Sequence, residues 1–354
     1  MGSLQVGNAG RVAGTTEEIH QGDKMRALIT GGAGFIGSHL SEKLLDLGYR
    51  VTIIDDLSTG RMENISHLTG HGNFTFAIEN ILNETVMDRL VCECDIIFHL
   101  AASVGVELII SKPVEVIETN ILGTEMVLKI ANRYKKKTVI TSTSEIYGKS
   151  EKVPFHEDDD SLMGPTTKNR WSYACSKAVD EFLSLAYHRE KNLPVVIARL
   201  FNTVGPRQTG RYGMVIPRFV ALALKGEDIP VYGDGLQSRC FTYVADTVEF
   251  MVRLSRDTGA QGQIFNVGND REITILDLAE KVKDMTGGKS KIVKIPYDEA
   301  YMAGFEDMRR RVPDISKVVN FTGYSPQYDL ETILERVIEF VREVGPDTLL
   351  RPRR

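Results

Sequence analysis

Two residues that could transfer a proton stand four positions apart in the middle of the chain. Tyr173 and Lys177 are separated by Ala-Cys-Ser, and in an α-helix this spacing places both side chains on one face. A tyrosine hydroxyl has a pKa of about 10 and is a poor base at neutral pH, but a fixed ammonium group nearby favours the phenolate. Such a pair could take a proton from a substrate hydroxyl. On its own, the same spacing also fits a pair of residues on a helix surface.

A second group of polar side chains follows a predicted strand earlier in the chain. The run 137–141 is apolar and β-branched, which predicts a strand, and Ser142 to Glu145 come directly after it. A hydroxyl here could reach the same substrate oxygen as Tyr173, and a carboxylate beside it could act as a further base. The predicted catalytic residues are therefore Tyr173, Lys177, Thr143, Ser144 and Glu145.

A glycine-rich turn near the start of the chain has the spacing of a phosphate-binding loop. The apolar run Arg26–Thr30 predicts a strand, Gly31, Gly34 and Gly37 follow it, and helical periodicity begins at Phe35. These glycines permit a tight turn, a close approach of phosphate to the backbone, and close packing of helix on strand. Free N–H groups at the start of that helix attract anions. The context predicts a dinucleotide site.

Two acidic residues close the next predicted strand. Val51–Ile54 is apolar, and Asp55 and Asp56 follow it. A carboxylate at this position can accept hydrogen bonds from both ribose hydroxyls and repels a 2′-phosphate, so the sequence favours NAD over NADP. Arg61 stands close in sequence and weakens the argument against NADP. If no nucleotide binds, the two acids form only a solvated turn.

Apolar strands alternate with helices through the first half of the chain. Further strands are predicted at 95–100, 137–141, 195–200 and 263–267, and helices at 218–225, 246–254, 275–285 and 330–342. This alternation indicates a parallel sheet covered on both faces. We predict an α/β fold, a Rossmann doubly wound parallel sheet with a smaller, loop-rich C-terminal substrate domain. The predicted division is a flexible extension at 1–24, a first lobe at 25–205 to which 240–268 returns, and a second lobe at 206–239 and 269–345.

Composition argues against several classes of function. The 354 residues carry 43 Lys and Arg against 48 Asp and Glu, a net charge of −5, so the global charge predicts no binding to nucleic acid or to an anionic membrane. No apolar run approaches the roughly 18 residues of a membrane span. The four cysteines are too few for a disulfide scaffold and lack metal-ligand spacing: Cys92, Cys94, Cys175 and Cys240. We predict a cytoplasmic protein with no metal site.

Seven stretches of the sequence together carry a family resemblance. They are GGAGFIGSHL at 31–40, HLAA at 99–102, TNILGT at 119–124, TSTSEIYG at 141–148, YACSK at 173–177, RLFNTVGPR at 199–207 and VYGDG at 231–235. The chain resembles, from about Met25 to about Val341, the extended short-chain dehydrogenase/reductases, in their branch of nucleotide-sugar epimerases, dehydratases and decarboxylases. The resemblance implies bound NAD in the first lobe, a UDP-sugar held by the second lobe, and a homodimer paired through helices of the first lobe.

The resemblance also implies which residues contact NAD. The implied set is Gly31, Gly34, Phe35, Ile36, Gly37, Asp55, Asn80, Ile81, Leu100, Ala101, Ala102, Asn120, Tyr173 and Lys177. Within it, Asn120 would lie near the cofactor diphosphate and Lys177 would hold the nicotinamide ribose. Asn80 departs from the family pattern, because relatives often carry Asp at this place to hold adenine.

A second implied set binds the substrate. Its members are Thr143, Asn202, Val215, Val231, Tyr232, Arg239, Arg310 and Arg311. Thr143 would bond the sugar 4-oxygen, and Asn202 resembles the family's contact to the substrate diphosphate. Arg239 and one of Arg310 or Arg311 would clamp that diphosphate, a task that the forked donors of guanidinium suit. The run 309–311 also fits a solvated basic segment.

Members of this branch share the first step of their reactions and differ in the second. NAD⁺ oxidises C4 of the sugar to a ketone, after which the ketone is turned over, loses CO₂ or loses water. Glu145 could assist chemistry at C5, and the stretches 164–173 and 311–314 resemble enzymes that handle UDP-glucuronate, decarboxylases included. The stretch 212–218 resembles the epimerases, and Ser144-Glu145 replaces the Asp-Glu pair usual in dehydratases.

The prediction from sequence is an NAD-dependent C4 epimerase of a UDP-sugar. UDP-glucuronate, converted to UDP-galacturonate through a transient 4-keto intermediate, is the favoured substrate. A UDP-glucuronate decarboxylase is the alternative. UDP-glucose 4-epimerase, a 4,6-dehydratase of a nucleotide sugar and a non-catalytic NAD-binding sensor are further alternatives. The sensor is disfavoured because both Tyr173 and Lys177 are kept.

Overall fold

The protein, in a computed structural model, is described over residues 24–210, 214–296 and 308–350. These residues contain thirteen strands: β1 (Arg26–Thr30), β2 (Arg50–Asp55), β3 (Phe74–Ile78), β4 (Ile96–His99), β5 (Lys137–Thr143), β6 (Val195–Leu200), β7 (Thr203–Val204), β8 (Ile229–Tyr232), β9 (Ser238–Cys240), β10 (Thr242–Tyr243), β11 (Gln263–Val267), β12 (Glu272–Thr274) and β13 (Ile292–Ile295). The extension predicted at 1–24 lies outside the described residues except for its last position.

Eleven α-helices lie in the same ranges: α1 (Phe35–Asp46), α2 (Glu84–Glu93), α3 (Val106–Ser111), α4 (Pro113–Arg133), α5 (Arg170–Lys191), α6 (Val215–Lys225), α7 (Val244–Arg256), α8 (Ile275–Met285), α9 (Ser316–Thr322), α10 (Leu330–Val344) and α11 (Pro346–Leu350). The helix predicted at 275–285 has these bounds, whereas the helix predicted at 218–225 begins earlier, at Val215. Pro217 lies in its first turn, where the missing N–H breaks no helical hydrogen bond.

Seven strands form one parallel sheet in the spatial order β11-β6-β5-β4-β1-β2-β3. The strand order reverses between β1 and β4, so the connections on either side leave in opposite directions and open a crevice at the carboxyl ends of the strands. This is the Rossmann arrangement, and the predicted fold class is confirmed. The crevice is bordered by the ends of β1, β2, β4 and β5, which carry the glycine turn, Asp55 and Thr143.

Apolar layers cover both faces of the sheet. On one face the core includes Leu40 and Leu44 of α1 and Val248 of α7. On the other face it includes Val91 of α2 and Leu128 of α4. Strands that are apolar almost throughout need cover on both sides, which explains why the apolar runs in the sequence locate them well.

A separate core holds the second lobe together. Phe219 of α6, Leu278 of α8 and Val337 of α10 pack there. One element differs from the predicted division, which assigns all of 269–345 to this lobe. Val318 of α9 is fully buried in the core of the first lobe, in the same cluster as Phe265 of β11. Helix α9 therefore belongs to the first lobe, because its apolar face completes the cover over β11.

The glycine turn and α1 approach each other too closely for a side chain. A Cβ added at Gly37 would lie 2.3 Å from the carbonyl oxygen of Gly31 and 2.8 Å from Cα of Gly32. Gly31 itself has a φ of +71°, a left-handed conformation that glycine adopts at little cost. The backbone of the turn is therefore packed directly against the first turn of α1.

Replacing Gly37 by alanine should destabilise the protein by about 1–3 kcal/mol, since backbone atoms must move to admit the methyl group. The free energy of unfolding in denaturant measures this change. Gly70→Ala is the matched control, because nothing lies within 4 Å of its added Cβ, and it should change stability by no more than about 0.5 kcal/mol. Equal effects at the two glycines would contradict the packing described here.

Candidate active site

A cavity of about 970 Å³ lies between the two lobes, at the carboxyl ends of the central strands. Its wall includes Gly31 after β1, Asp55 of β2, Leu100 after β4 and Thr143 of β5. The volume is at the upper end of the range of about 300–1,000 Å³ that is usual for ligand sites. The cavity can therefore accommodate a large ligand or two ligands side by side.

Positive side chains outnumber negative ones on this wall. The described residues contribute eight cations to it against four anions. The cations are Arg61, Lys112, Arg170, Lys177, Arg207, Arg218, Arg239 and Arg311, and the anions are Asp55, Asp56, Glu115 and Glu145. The wall thus differs in sign from the chain as a whole, which is acidic. A positive, partly enclosed cleft favours ligands that carry phosphate groups.

The start of α1 is arranged to receive a phosphate. The residue before the helix, Gly34, makes no side-chain cap, and the first turn carries no acidic residue. The N–H groups at the helix start therefore remain available to an anion. The predicted residues of the turn all line the cavity: Gly31, Gly34, Phe35, Ile36 and Gly37.

The end of β2 offers acceptors for a ribose. Asp55 Oδ2 accepts a hydrogen bond from the N–H of Ala33 at 3.0 Å, and Oδ1 accepts one from the N–H of Leu57 at 2.8 Å. A carboxylate has about four acceptor positions, so it can also receive hydroxyl groups. Asn80 is fixed beside it, because its Nδ2 donates to Asp56 Oδ2 at 3.1 Å.

The remaining predicted nucleotide contacts divide between the wall and the interior. The wall includes Asn80, Ile81, Leu100, Ala101 and Ala102. Asn120 requires a correction, since it is 1% exposed and lies behind the wall. Its Oδ1 accepts from the N–H of Ser103 at 2.8 Å, and its Nδ2 donates to Ser176 Oγ at 3.2 Å. Asn120 thus ties the loop after β4 to α5. Together, the N–H groups at the start of α1 and the carboxylate acceptors at the end of β2 fit the phosphate and ribose groups of NAD.

The predicted proton-transfer pair, Tyr173 and Lys177, lies on α5, and both side chains form part of the cavity wall. Tyr173 is 7% exposed and Lys177 is 2% exposed. Burial and the nearby charge of Glu145 raise the pKa of Tyr173 above its usual value, while a hydrogen bond from Thr143 opposes the rise. The surroundings of Tyr173 in the described structure therefore favour the protonated phenol.

Glu145 is clamped between two arginines from different parts of the chain. Its Oε1 accepts from Arg311 Nη2 at 2.6 Å, and its Oε2 lies 2.5 Å from Arg170 Nη2. Burial alone would raise the pKa of Glu145, but the two guanidinium groups outweigh burial and lower the pKa to about 2. This carboxylate is therefore ionised at every physiological pH. Ser144 beside it is buried, and its Oγ has no hydrogen-bond partner among the residues that the structure describes.

Arg170 is a site residue that the sequence reasoning missed. It is the first residue of α5 and stands three positions before Tyr173, a spacing that places both on the same helix face. That spacing to Tyr173 was the signal in the sequence that could have identified Arg170.

Several of the predicted substrate contacts reach the cavity from the second-lobe side. Val215, Tyr232 and Arg239 line it from that side, whereas Asn202, which follows β6, lines it from the first lobe. Arg218 was not predicted, yet it lines the wall and donates to the hydroxyl of Tyr232 at 2.5 Å. The aromatic ring is thereby held in place by a cation.

Two predicted substrate contacts need correction. Val231 is fully buried in the second-lobe core, because side chains alternate along β8 and Tyr232 takes the cavity side. Arg310 lies on the outer surface, where it donates to both oxygens of Glu272 at 2.9 and 2.8 Å. Of the two arginines left open by the sequence, Arg311 is the one on the described wall.

The family model of GDP-mannose 4,6 dehydratase matches residues 28–337 of this chain. The chain belongs to that family. It is a family of nucleotide-sugar epimerases, dehydratases and decarboxylases, so the predicted resemblance is confirmed.

Individual relatives give a finer comparison. The chain is 45% identical over 325 residues to UDP-N-acetyl-alpha-D-glucosaminuronate decarboxylase of Bacillus cytotoxicus, covering 92% of this chain and 100% of that protein. It is 36% identical over 322 residues to UDP-glucuronic acid decarboxylase 1 of Danio rerio, covering 91% and 74%. Among solved structures, UDP-glucuronic acid 4-epimerase of Bacillus cereus, in complex with UDP-glucuronic acid and NAD, matches with a TM-score of 0.81 at 29% identity, covering 90% of this chain and all 100% of that one.

Two further findings concern only residues 24–210, 214–296 and 308–350. None of the helices there combines the length and the apolar character that crossing a bilayer requires. Within the same ranges, no group of three or more His, Cys, Asp and Glu side chains is placed to hold a metal ion. The four cysteines are free thiols.

Proposed function

We propose that this protein is an NAD-dependent decarboxylase of a UDP-hexuronate, the alternative of the sequence analysis rather than its favoured epimerase. The observation that carries the proposal is the buried, permanently charged Glu145, held by Arg170 and Arg311 next to Tyr173. The proposed UDP-sugar would lie between the lobes, beside Asn202 of the first lobe and Arg239 of the second.

The first step needs a proton acceptor at the sugar C4 hydroxyl. NAD, when bound in the first lobe, supplies the acceptor for the hydride from C4. Tyr173 takes the hydroxyl proton, and the hydrogen bond from Thr143 and the positive charge of Lys177 both stabilise the phenolate that does so. The three side chains lie on the same described wall, at the end of β5 and the start of α5.

The second step distinguishes a decarboxylase from an epimerase. A ketone at C4 can receive the electron pair that is released when a C5 carboxylate leaves as CO₂, and the enolate so formed takes one proton from water at C5 to give the 4-keto pentose. Return of the hydride to C4, with the proton that Tyr173 had accepted going to the C4 oxygen, would then give the UDP-pentose. Arg170 and Arg311 keep Glu145 ionised and fixed beside the reacting carbons, and the cluster of the three side chains carries one net positive charge, which would hold the substrate carboxylate in place for its loss. Inversion at C4 retains the substrate carboxylate and needs no second carboxylate at this place.

The comparisons support the same proposal. The 45% identical relative from Bacillus cytotoxicus is matched along its whole length and is a decarboxylase of an N-acetylated uronate. The relative from Danio rerio is a decarboxylase of UDP-glucuronic acid. UDP-N-acetylglucosaminuronate is therefore the first substrate to test, and UDP-glucuronate is the second.

The deciding experiment incubates the protein with NAD and each UDP-hexuronate and follows the product by NMR together with released CO₂. The proposal expects a UDP-pentose, N-acetylated for the first substrate, or its 4-keto form, with one CO₂ per product. A C4-inverted uronate that keeps its carboxylate would contradict it and restore the epimerase. Loss of water without CO₂ would indicate a dehydratase, and no turnover of any nucleotide sugar would indicate a sensor.

Glu145→Gln keeps the shape of the side chain and removes its charge, so decarboxylation should slow by about 10²- to 10³-fold, the range typical for loss of one electrostatic contact in an active site. Initial rates of CO₂ release measure the loss. Glu181→Gln is the matched control, because Glu181 is also a buried carboxylate paired with an arginine, Arg199, at 2.8 Å, but it does not lie on the described cavity wall. Both variants should lose stability. Equal rates in the two folded variants would contradict the role of Glu145.

We also propose that the protein forms a homodimer through α4 and α5. Large apolar side chains stand exposed on these neighbouring helices, with Phe182 76% exposed and Val114 66% exposed. Ile117, Leu122 and Val179 are exposed on the same two helices. A group of exposed apolar side chains on one face of a soluble protein marks an interaction surface.

Phe182→Glu should convert the dimer into a monomer, since a charge replaces the most exposed aromatic side chain of this surface. Sedimentation or light scattering coupled to gel filtration measures the mass. Phe76→Glu is the control, because Phe76 is 43% exposed but lies on β3, at the edge of the sheet. A wild-type monomer, or a Phe182→Glu variant that stays dimeric, would contradict the proposal.

A further inference from the structure

A buried carboxylate lies directly behind Lys177. Asp180 stands one helical turn further along α5, and its Oδ2 accepts a hydrogen bond from Lys177 Nζ at 2.8 Å. The Asp180 side chain is 0% exposed and does not lie on the described cavity wall, whereas Lys177 does. Asp180 can therefore influence the reacting groups only through Lys177 and through its charge.

The ion pair is poorly suited to a purely stabilising role. Asp180 Oδ1 is buried and poorly satisfied, and the hydroxyl of Thr124 together with Lys177 does not compensate for the burial of the carboxylate, which raises its pKa. A buried ion pair repays the loss of its hydration only if its remaining polar atoms are satisfied. The incomplete pairing suggests that this carboxylate is kept for its effect on Lys177.

The other ionisable groups around Lys177 are neutral or already paired. His99 of β4 is held neutral, since burial and the charge of Lys177 lower its pKa to about 3. Its Nε2 hydrogen bonds to Thr124 of α4 at 3.1 Å, and Thr124 also faces Asp180.

The two other carboxylates near the pair each have an arginine. Glu181, the next residue of α5, is paired with Arg199 of β6 at 2.8 Å. Glu145 is held by Arg170 and Arg311. Among the described groups, Asp180 is thus the anion placed to offset the charge that Lys177 presents to Tyr173.

We propose that Asp180 is a positioning residue for Lys177, which fixes the ammonium group in the cavity wall and offsets part of its charge, so that Tyr173 stays protonated until the ligands are bound. The inference rests on the proposed function, because it takes Tyr173 to be the proton acceptor. A negative charge near a phenol disfavours the phenolate. Burial also raises the pKa of Asp180, and the ammonium of Lys177 opposes that rise.

The test is a pH titration of Tyr173 in the NAD-loaded, substrate-free protein. Phenolate absorbance in the near ultraviolet is recorded for wild type and for Asp180→Asn, and the signal of Tyr173→Phe in each background is subtracted. Asp180→Asn should lower the pKa of Tyr173 by about one unit, as expected on removal of a nearby like charge. An unchanged or raised pKa would overturn the proposal.

Two further variants complete the design. Glu181→Gln removes the neighbouring buried carboxylate and should leave the pKa of Tyr173 where it is. A shift equal to that of Asp180→Asn would overturn the proposal, because the effect would then be a general one. If Asp180→Asn does not fold, Asp180→Ala is titrated in the same way and should shift the pKa in the same direction. Since no substrate is present, failure of the decarboxylase assay leaves this result unaffected.

Discussion

The negative charge of Glu145 is the interaction on which the rest of the site depends. It is stable inside the protein only because Arg170 and Arg311 hold both carboxylate oxygens, which lowers the pKa to about 2 against the opposing effect of burial. Removing either arginine would leave a buried charge poorly compensated. The same charge acts on the phenol of Tyr173 and raises its pKa. The raised pKa of Tyr173 and the proposed loss of the substrate carboxylate therefore both depend on the charge of Glu145.

This charge also connects the elements that build the cavity. Glu145 follows β5, Arg170 begins α5, and Arg311 comes from the segment that precedes α9. Close by, the N–H of Phe155 donates to the carbonyl of Val312 at 2.8 Å. The two sides of the cavity are thus held by charged and backbone hydrogen bonds around one carboxylate. The Rossmann sheet provides the fixed strand end from which this arrangement starts.

The local sequence pattern predicted the positions of the strands and helices well, and the directions of individual side chains less well. The apolar strands, the glycine turn and the Tyr173–Lys177 pair depend on spacing within a few residues, and the structure places them as expected. Asn120 and Arg310 were misplaced because their partners, such as Glu272 for Arg310, come from distant parts of the chain. Val231 was misplaced because the alternation of side chains along β8 was not applied to it. The choice between epimerase and decarboxylase was difficult from the sequence for the same reason as Asn120 and Arg310, since it depends on contacts between distant parts of the chain. Glu145 is paired with an arginine 166 positions away, and part of the epimerase-like stretch at 212–218 lies outside the described residues.

The most direct test of the account is the transfer of hydride to bound NAD on addition of UDP-N-acetylglucosaminuronate, measured as NADH absorbance in a stopped-flow experiment. The wild-type protein is expected to form NADH transiently. In Tyr173→Phe, which should carry the same amount of NAD, the rate is expected to fall at least about 10²-fold because the proton acceptor is missing. NADH formation at the wild-type rate in Tyr173→Phe would contradict the account.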